Sequence, residues 1–100
     1  MSISFVAAFV VFTADWCITC KVNERFVLAD ERVEAAFDAG GYVRFKGDWT
    51  ARDEAIRQEL ARHGRAGVPL YLVYRPGQGA APNVLPELLS VDGLLEALTL

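Results

Sequence analysis

Apolar and polar positions along the chain follow two periods. Ile3 to Phe12 is a continuous apolar run rich in Val and Phe, which predicts a buried strand. Thr13 to Trp16 reads as a loop. A helix is then predicted from about Cys17 to Leu28, with Val22, Phe26 and Val27 spaced for one buried face. Asp30 is placed to cap a continuation through Phe37, where Val33, Ala36 and Phe37 repeat the spacing. Gly40 and Gly41 stop it. Tyr42 to Lys46 alternates, with Val43 and Phe45 on one side, and predicts a second strand.

Thr50-Ala51-Arg52-Asp53 has the pattern of a capping box. A helix is predicted to follow it as far as His63, with Ile56 and Leu60 inward and Gly64 as its stop. Leu70 to Tyr74 is continuously apolar, as a central strand must be. Residues 75–79 carry Pro and two Gly and read as a turn. Asn83 to Leu85, bounded by Pro82 and Pro86, predicts a short edge strand. Ser90 caps a last helix with Leu94, Leu95 and Leu98 inward. The order β-α-β-α-β-β-α predicts an α/β fold, a four-stranded mixed sheet with helices on both faces. Strands one and two should be parallel across a right-handed crossover, and the last two antiparallel.

Length and charge narrow the function classes. The chain has 100 residues, 53% hydrophobic, with a formal net charge of −3. That fits a single domain over residues 1–100 and argues against disorder. No basic run points to nucleic acid. The apolar N-terminal run has no preceding Lys or Arg and leads straight into the cysteines, so it reads as a strand rather than a signal peptide. It is too short to cross a bilayer. The abrupt start on a strand is expected of a domain cut from a larger protein.

The two cysteines sit in Trp16-Cys17-Ile18-Thr19-Cys20-Lys21, where a strand ends and a helix begins. The nucleophile in disulfide exchange is a thiolate, and a helix N-terminus favours negative charge. Cys17 at or beside the N-cap is therefore expected to ionise below the free-thiol value of about 8.5. One helical turn brings Cys20 within bonding distance. Cys17 would attack a partner's disulfide, and the more buried Cys20 would resolve the mixed species. Zinc needs further ligands, and His63 alone cannot complete a site. A copper(I) module using both thiolates stays open as the alternative, as does an inert structural disulfide. Val68-Pro69, directly before the central strand, is where a cis peptide is expected when paired with an upstream CxxC.

Together, Trp16-Cys17-x-x-Cys20 and Val68-Pro69 resemble the thioredoxin superfamily. The match is closer to the C-terminal periplasmic domain of the DsbD/ScsB-type membrane thiol:disulfide interchange proteins. It is carried by residues 12–24, Asp48-Trp49-Thr50, residues 67–74 and Val84-Leu85-Pro86-Glu87-Leu88-Leu89. The resemblance implies a thioredoxin-like fold in which the Pro69 loop packs beside the cysteines and presents backbone to a partner. It implies a reductase that needs no cofactor. Electrons would come from a membrane-embedded donor domain of the parent protein and pass to periplasmic disulfide-containing acceptors. Thioredoxin-like domains often bury a carboxylate six residues before the first Cys, and that position here is Val11. Glu24 matches the family's acidic residue seven after the first Cys. Its charge near the pair would raise the Cys17 pKa and oppose the helix dipole.

The flanking residues have weaker claims. Asp15 and Trp16 border the nucleophile, and Trp16 serves either as partner surface or as local packing. Lys21 favours a thiolate if it is near, but reads first as a solvated helical lysine. Trp49 is expected to be structural, His63 to sit at a helix C-terminus where a cation is favourable, and Tyr71 and Tyr74 to belong to the core.

Overall fold

The computed structural model describes residues 7–75 and 81–99. Strand β1 (Ala8–Thr13) is followed by α1 (Ile18–Asn23), which widens into a π turn over Glu24–Leu28, and by α2 (Glu31–Ala39). Then come β2 (Val43–Asp48), α3 (Glu54–Arg62), β3 (Leu70–Tyr74), β4 (Asn83–Val84) and α4 (Val91–Thr99). Positions 3–6 of the predicted first strand, and 76–79 of the predicted turn, lie outside the described residues.

The sheet runs β2-β1-β3-β4. β1 pairs parallel with β2, from Ala8–Val43 to Thr13–Asp48, and antiparallel with β3, from Ala8–Tyr74 to Phe12–Leu70. β4 adds antiparallel to β3. β1 and β3 are flanked by strands on both sides and by helices above and below, which is why both read as unbroken apolar runs. One core packs Phe9, Tyr71 and Val73 against Val27, Val33, Phe37, Leu94 and Leu98. The opposite face packs Phe12, Leu70 and Leu72 against Trp49 and Leu60, with Ile56 at its margin. The mixed sheet with helices on both faces is the architecture that the alternation of elements predicts.

Three expectations need correction. Of the three residues predicted to form the buried face of the first helix, Val27 is buried, but Val22 is 38% and Phe26 65% accessible. The buried stripe is instead Cys20, Asn23 and Val27, spaced three and four residues apart. Its middle member is polar, so counting apolar residues selects the neighbouring stripe. The π turn also breaks the 3.6 period there. The cap of α3 is Asp53, whose side chain accepts from the Ile56 N–H at 3.1 Å, rather than Thr50. Arg52 has φ +57°, so helical geometry cannot extend back to Thr50. Finally, β2 is an edge strand shifted one residue on from the predicted Tyr42 start, with Phe45 exposed.

Other boundaries follow the sequence. Gly41 takes φ +66° after α2. His63 is the C-cap of α3, followed by Gly64 at φ +74°. The Ser90 hydroxyl accepts from the Gly93 N–H at 3.0 Å and caps α4. Among the described residues, no helix is long and apolar enough to cross a membrane.

Candidate active site

β1 ends at Thr13 and delivers the chain to a tight turn, closed by the Cys17 N–H donating to the Ala14 carbonyl at 3.1 Å. Cys17 keeps extended backbone angles (φ −87°, ψ 106°) and is the N-cap of α1. Its sulfur takes the place of a capping oxygen, accepting from the Cys20 N–H at 3.2 Å. The same turn sets the two Cα atoms 5.2 Å apart, and the sulfurs are joined as a disulfide. Cys17 retains 7% of its surface and Cys20 none.

Val68 packs against the small cluster of Ala14, Cys17 and Cys20. The Val68–Pro69 peptide bond is cis, and Pro69 is buried at the mouth of β3. The fold therefore brings together the two segments that the sequence singles out, 48 residues apart from Cys20 to Val68 by number alone.

The flanking candidates separate. Trp16 is 45% exposed, and its Nε1–H donates to the Thr50 carbonyl at 3.0 Å. Its ring tilts against Trp49, centroids 5.9 Å apart. The backbone N–H of Asp15 donates to the Thr50 hydroxyl oxygen at 2.9 Å. Asp48 accepts from both the hydroxyl and the backbone N–H of Thr50, and these bonds hold its carboxyl below the usual carboxylate range. Lys21 reaches Asp15 at 3.8 Å, but both side chains are more than half exposed, so the pair contributes little. Lys21 is thus a solvated helical lysine.

Glu24 accepts from the buried Thr13 hydroxyl at 3.1 Å. Val11 lies half-buried against the main core, so an apolar side chain fills the position where thioredoxin-like domains often bury a carboxylate.

Four further residues beside the site are not among the candidates that the sequence singles out. Asn23 is fully buried one turn past Cys20. It donates to the Tyr71 hydroxyl at 2.8 Å and the Glu87 carbonyl at 2.7 Å, and accepts from the Leu89 N–H at 3.0 Å. It thereby ties α1 to the strand after Pro69 and to the loop before α4. Burial pushes the Tyr71 phenol up; the Asn23 donor opposes this and the Glu24 charge adds to it. Thr13, Thr50 and Arg52 complete the surroundings, and only an asparagine inside an apolar helix was a usable clue. The predicted core tyrosines differ: Tyr71 is buried, while Tyr74 is half-buried.

Such a pair can cycle between dithiol and disulfide with one sulfur near the surface and the other sealed. A family model described as thioredoxin-like matches residues 6–76. The thiol:disulfide interchange protein DsbD 1 of Pseudomonas aeruginosa is 45% identical over 64 residues, 64% of this chain and 10% of that protein. The DsbD of Ralstonia nicotianae is 35% identical over 71 residues, 71% of this chain and 11% of that protein. The chain thus spans about a tenth of the length of the curated relatives it matches. Among solved structures, the oxidised C-terminal domain of Neisseria meningitidis DsbD superposes with TM-score 0.70 at 28% identity, covering 91% of this chain and 76% of that one. A Thermus thermophilus thioredoxin gives TM-score 0.74 at 21% identity, covering 93% and 71%, a likeness of fold alone.

Proposed function

This chain belongs to the thioredoxin-like family, and from that premise we propose that it is a thiol:disulfide oxidoreductase domain working through Cys17 and Cys20. The observation that carries the reading is the disulfide at the N-cap of α1, with a small part of Cys17 open to solvent, Cys20 sealed, and Val68 packed against the cluster that holds both.

In the reducing direction, the Cys17 thiolate attacks one sulfur of a partner's disulfide. A Cys17–partner bond forms and the other partner sulfur leaves as thiolate. The Cys20 sulfur then attacks Cys17, closing the intramolecular disulfide and releasing the second partner sulfur. Two electrons pass from this domain to the partner, and an upstream dithiol restores the reduced form by the reverse exchange. The hydrogen bond from the Cys20 N–H to the Cys17 sulfur favours the thiolate on Cys17. The backbone around Val68 and Pro69 is the surface against which a partner segment would lie. The exchange as written uses no cofactor.

The likeness to DsbD proteins supports the reductase direction and the wider setting. In that setting the domain belongs to a longer inner-membrane protein and faces the periplasm. It draws electrons from the membrane-embedded domain and passes them to periplasmic disulfide-bearing acceptors. Reduction of a disulfide-bearing protein by wild type, Cys17→Ser and Cys20→Ser tests the reading. Loss of turnover in both variants, with a trapped partner adduct in Cys20→Ser, is expected. Full turnover in either variant would overturn it.

A further inference from the structure

Arg52 is the one non-glycine residue with positive φ among the described residues, at +57°. A left-handed backbone costs an arginine free energy that glycine would not lose. Such outliers persist where the surrounding structure holds them, and they cluster at functional sites. Its guanidinium carbon lies 4.4 Å from the centroid of Trp16 and 5.2 Å from that of Trp49. Both rings are fixed in turn, Trp16 by the Thr50 carbonyl and Trp49 by the Asp53 carbonyl at 3.0 Å.

The guanidinium sits over both rings, and a guanidinium held on aromatic faces keeps N–H donors suited to a carboxylate. The acids nearest in sequence to this loop and to Trp16 have other neighbours: Asp15 makes the weak contact with Lys21, Asp48 holds Thr50, Asp53 caps α3, and Glu54 pairs with Arg57. Among the described residues, no carboxylate stands within ion-pair distance of Arg52. A fixed, exposed cation thus adjoins Trp16, the residue before Cys17.

We propose that Arg52 selects partners by taking an Asp or Glu side chain carried close to the disulfide being exchanged. The proposal rests on the exchange reading above. A stack that merely stiffened residues 49–53 would affect stability but give no partner preference.

The test uses the reduced protein and three disulfide-bearing peptides that differ at one position beside the disulfide: Glu, Gln or Lys. Wild type should exchange with the Glu peptide roughly three- to fivefold faster than with the Gln peptide at low ionic strength, the size of an exposed ion pair, with the Lys peptide slowest. Added salt should shrink the ratio. Arg52→Gly, which suits the left-handed backbone and so preserves the turn, should bring the Glu and Gln peptides to one rate. Arg52→Glu should reverse the order in favour of Lys. Equal rates for Glu and Gln in wild type, or a preference surviving in Arg52→Gly, would overturn the proposal while leaving the exchange reading intact. Exchange with none of the peptides would remove both.

Discussion

The side-chain amide of Asn23 donates to the hydroxyl of Tyr71 at 2.8 Å, joining the helix that carries Cys20 to the strand that begins after Pro69. The same amide group also holds the Glu87 carbonyl and the Leu89 N–H. Asn23→Ala or Asn23→Leu strands these backbone groups, and unsatisfied buried groups are costly. Either variant should lose about 2–4 kcal/mol of stability. Urea denaturation measures it. Asn23→Asp keeps the acceptor for Leu89 but loses both donated bonds, so it should also fall well below wild type. A loss under about 0.5 kcal/mol in all three, the scale of ordinary surface changes, would show that the linkage is idle.

Tyr71 makes stability depend on alkaline pH. Burial raises its phenol pKa, the Asn23 donor opposes that shift and the Glu24 charge adds to it. The folded state therefore keeps the proton that an unfolded tyrosine releases near pH 10. Its contribution is fully present below about pH 10 and is lost as pH rises through the folded pKa. Tyr42 shifts the same way, by burial, against the charge of Arg75. Urea midpoints taken from about pH 9 to pH 11 should fall, and Tyr71→Phe should flatten the fall. An identical slope in Tyr71→Phe would place the dependence elsewhere.

The residues that pack on two sides announce themselves in sequence. Phe9 to Phe12 and Leu70 to Val73 are apolar at every position because every position is at least partly covered, and the cysteine spacing is itself a local chemical signal. Burial of one face by a polar residue is illegible in the same way. Asn23 breaks the apolar stripe of α1, and Val22 and Phe26, each one residue before a member of the true stripe, complete a false one. The Arg52 conformation has no sequence signature either, since glycine or asparagine marks a left-handed position and arginine does not. The α3 boundary followed from it, because two capping residues, Thr50 and Asp53, compete and only the backbone between them decides.

That competition can be measured. Asp53→Ala removes the bond to the Ile56 N–H and should cost about 1 kcal/mol, the usual value of an N-cap. Thr50→Ala leaves α3 capped but releases Asp15 and Asp48. Its effect should therefore appear in the fluorescence of Trp16, which the Thr50 backbone anchors, with helical circular dichroism preserved. A greater stability loss in Thr50→Ala than in Asp53→Ala would restore Thr50 as the cap.

The division of labour between the sulfurs rests on accessibility and hydrogen bonding, and both can be read in the dithiol form. Cys17 stands at the helix start with 7% of its surface open, and its sulfur accepts the Cys20 N–H. Cys20 has none of its surface open. An alkylating reagent therefore meets the first sulfur directly, as the form better able to bear negative charge, and reaches the second only when α1 opens locally. With the reagent limiting at neutral pH, Cys17 should be modified more than about tenfold faster than Cys20. The label is located by mass mapping of the quenched protein. Equal labelling would mean that local opening of α1 is as frequent as attack at its end, and Cys20 could then no longer be assigned the resolving role on grounds of shelter. Preferential labelling of Cys20 would reverse the two roles while leaving the exchange itself in place.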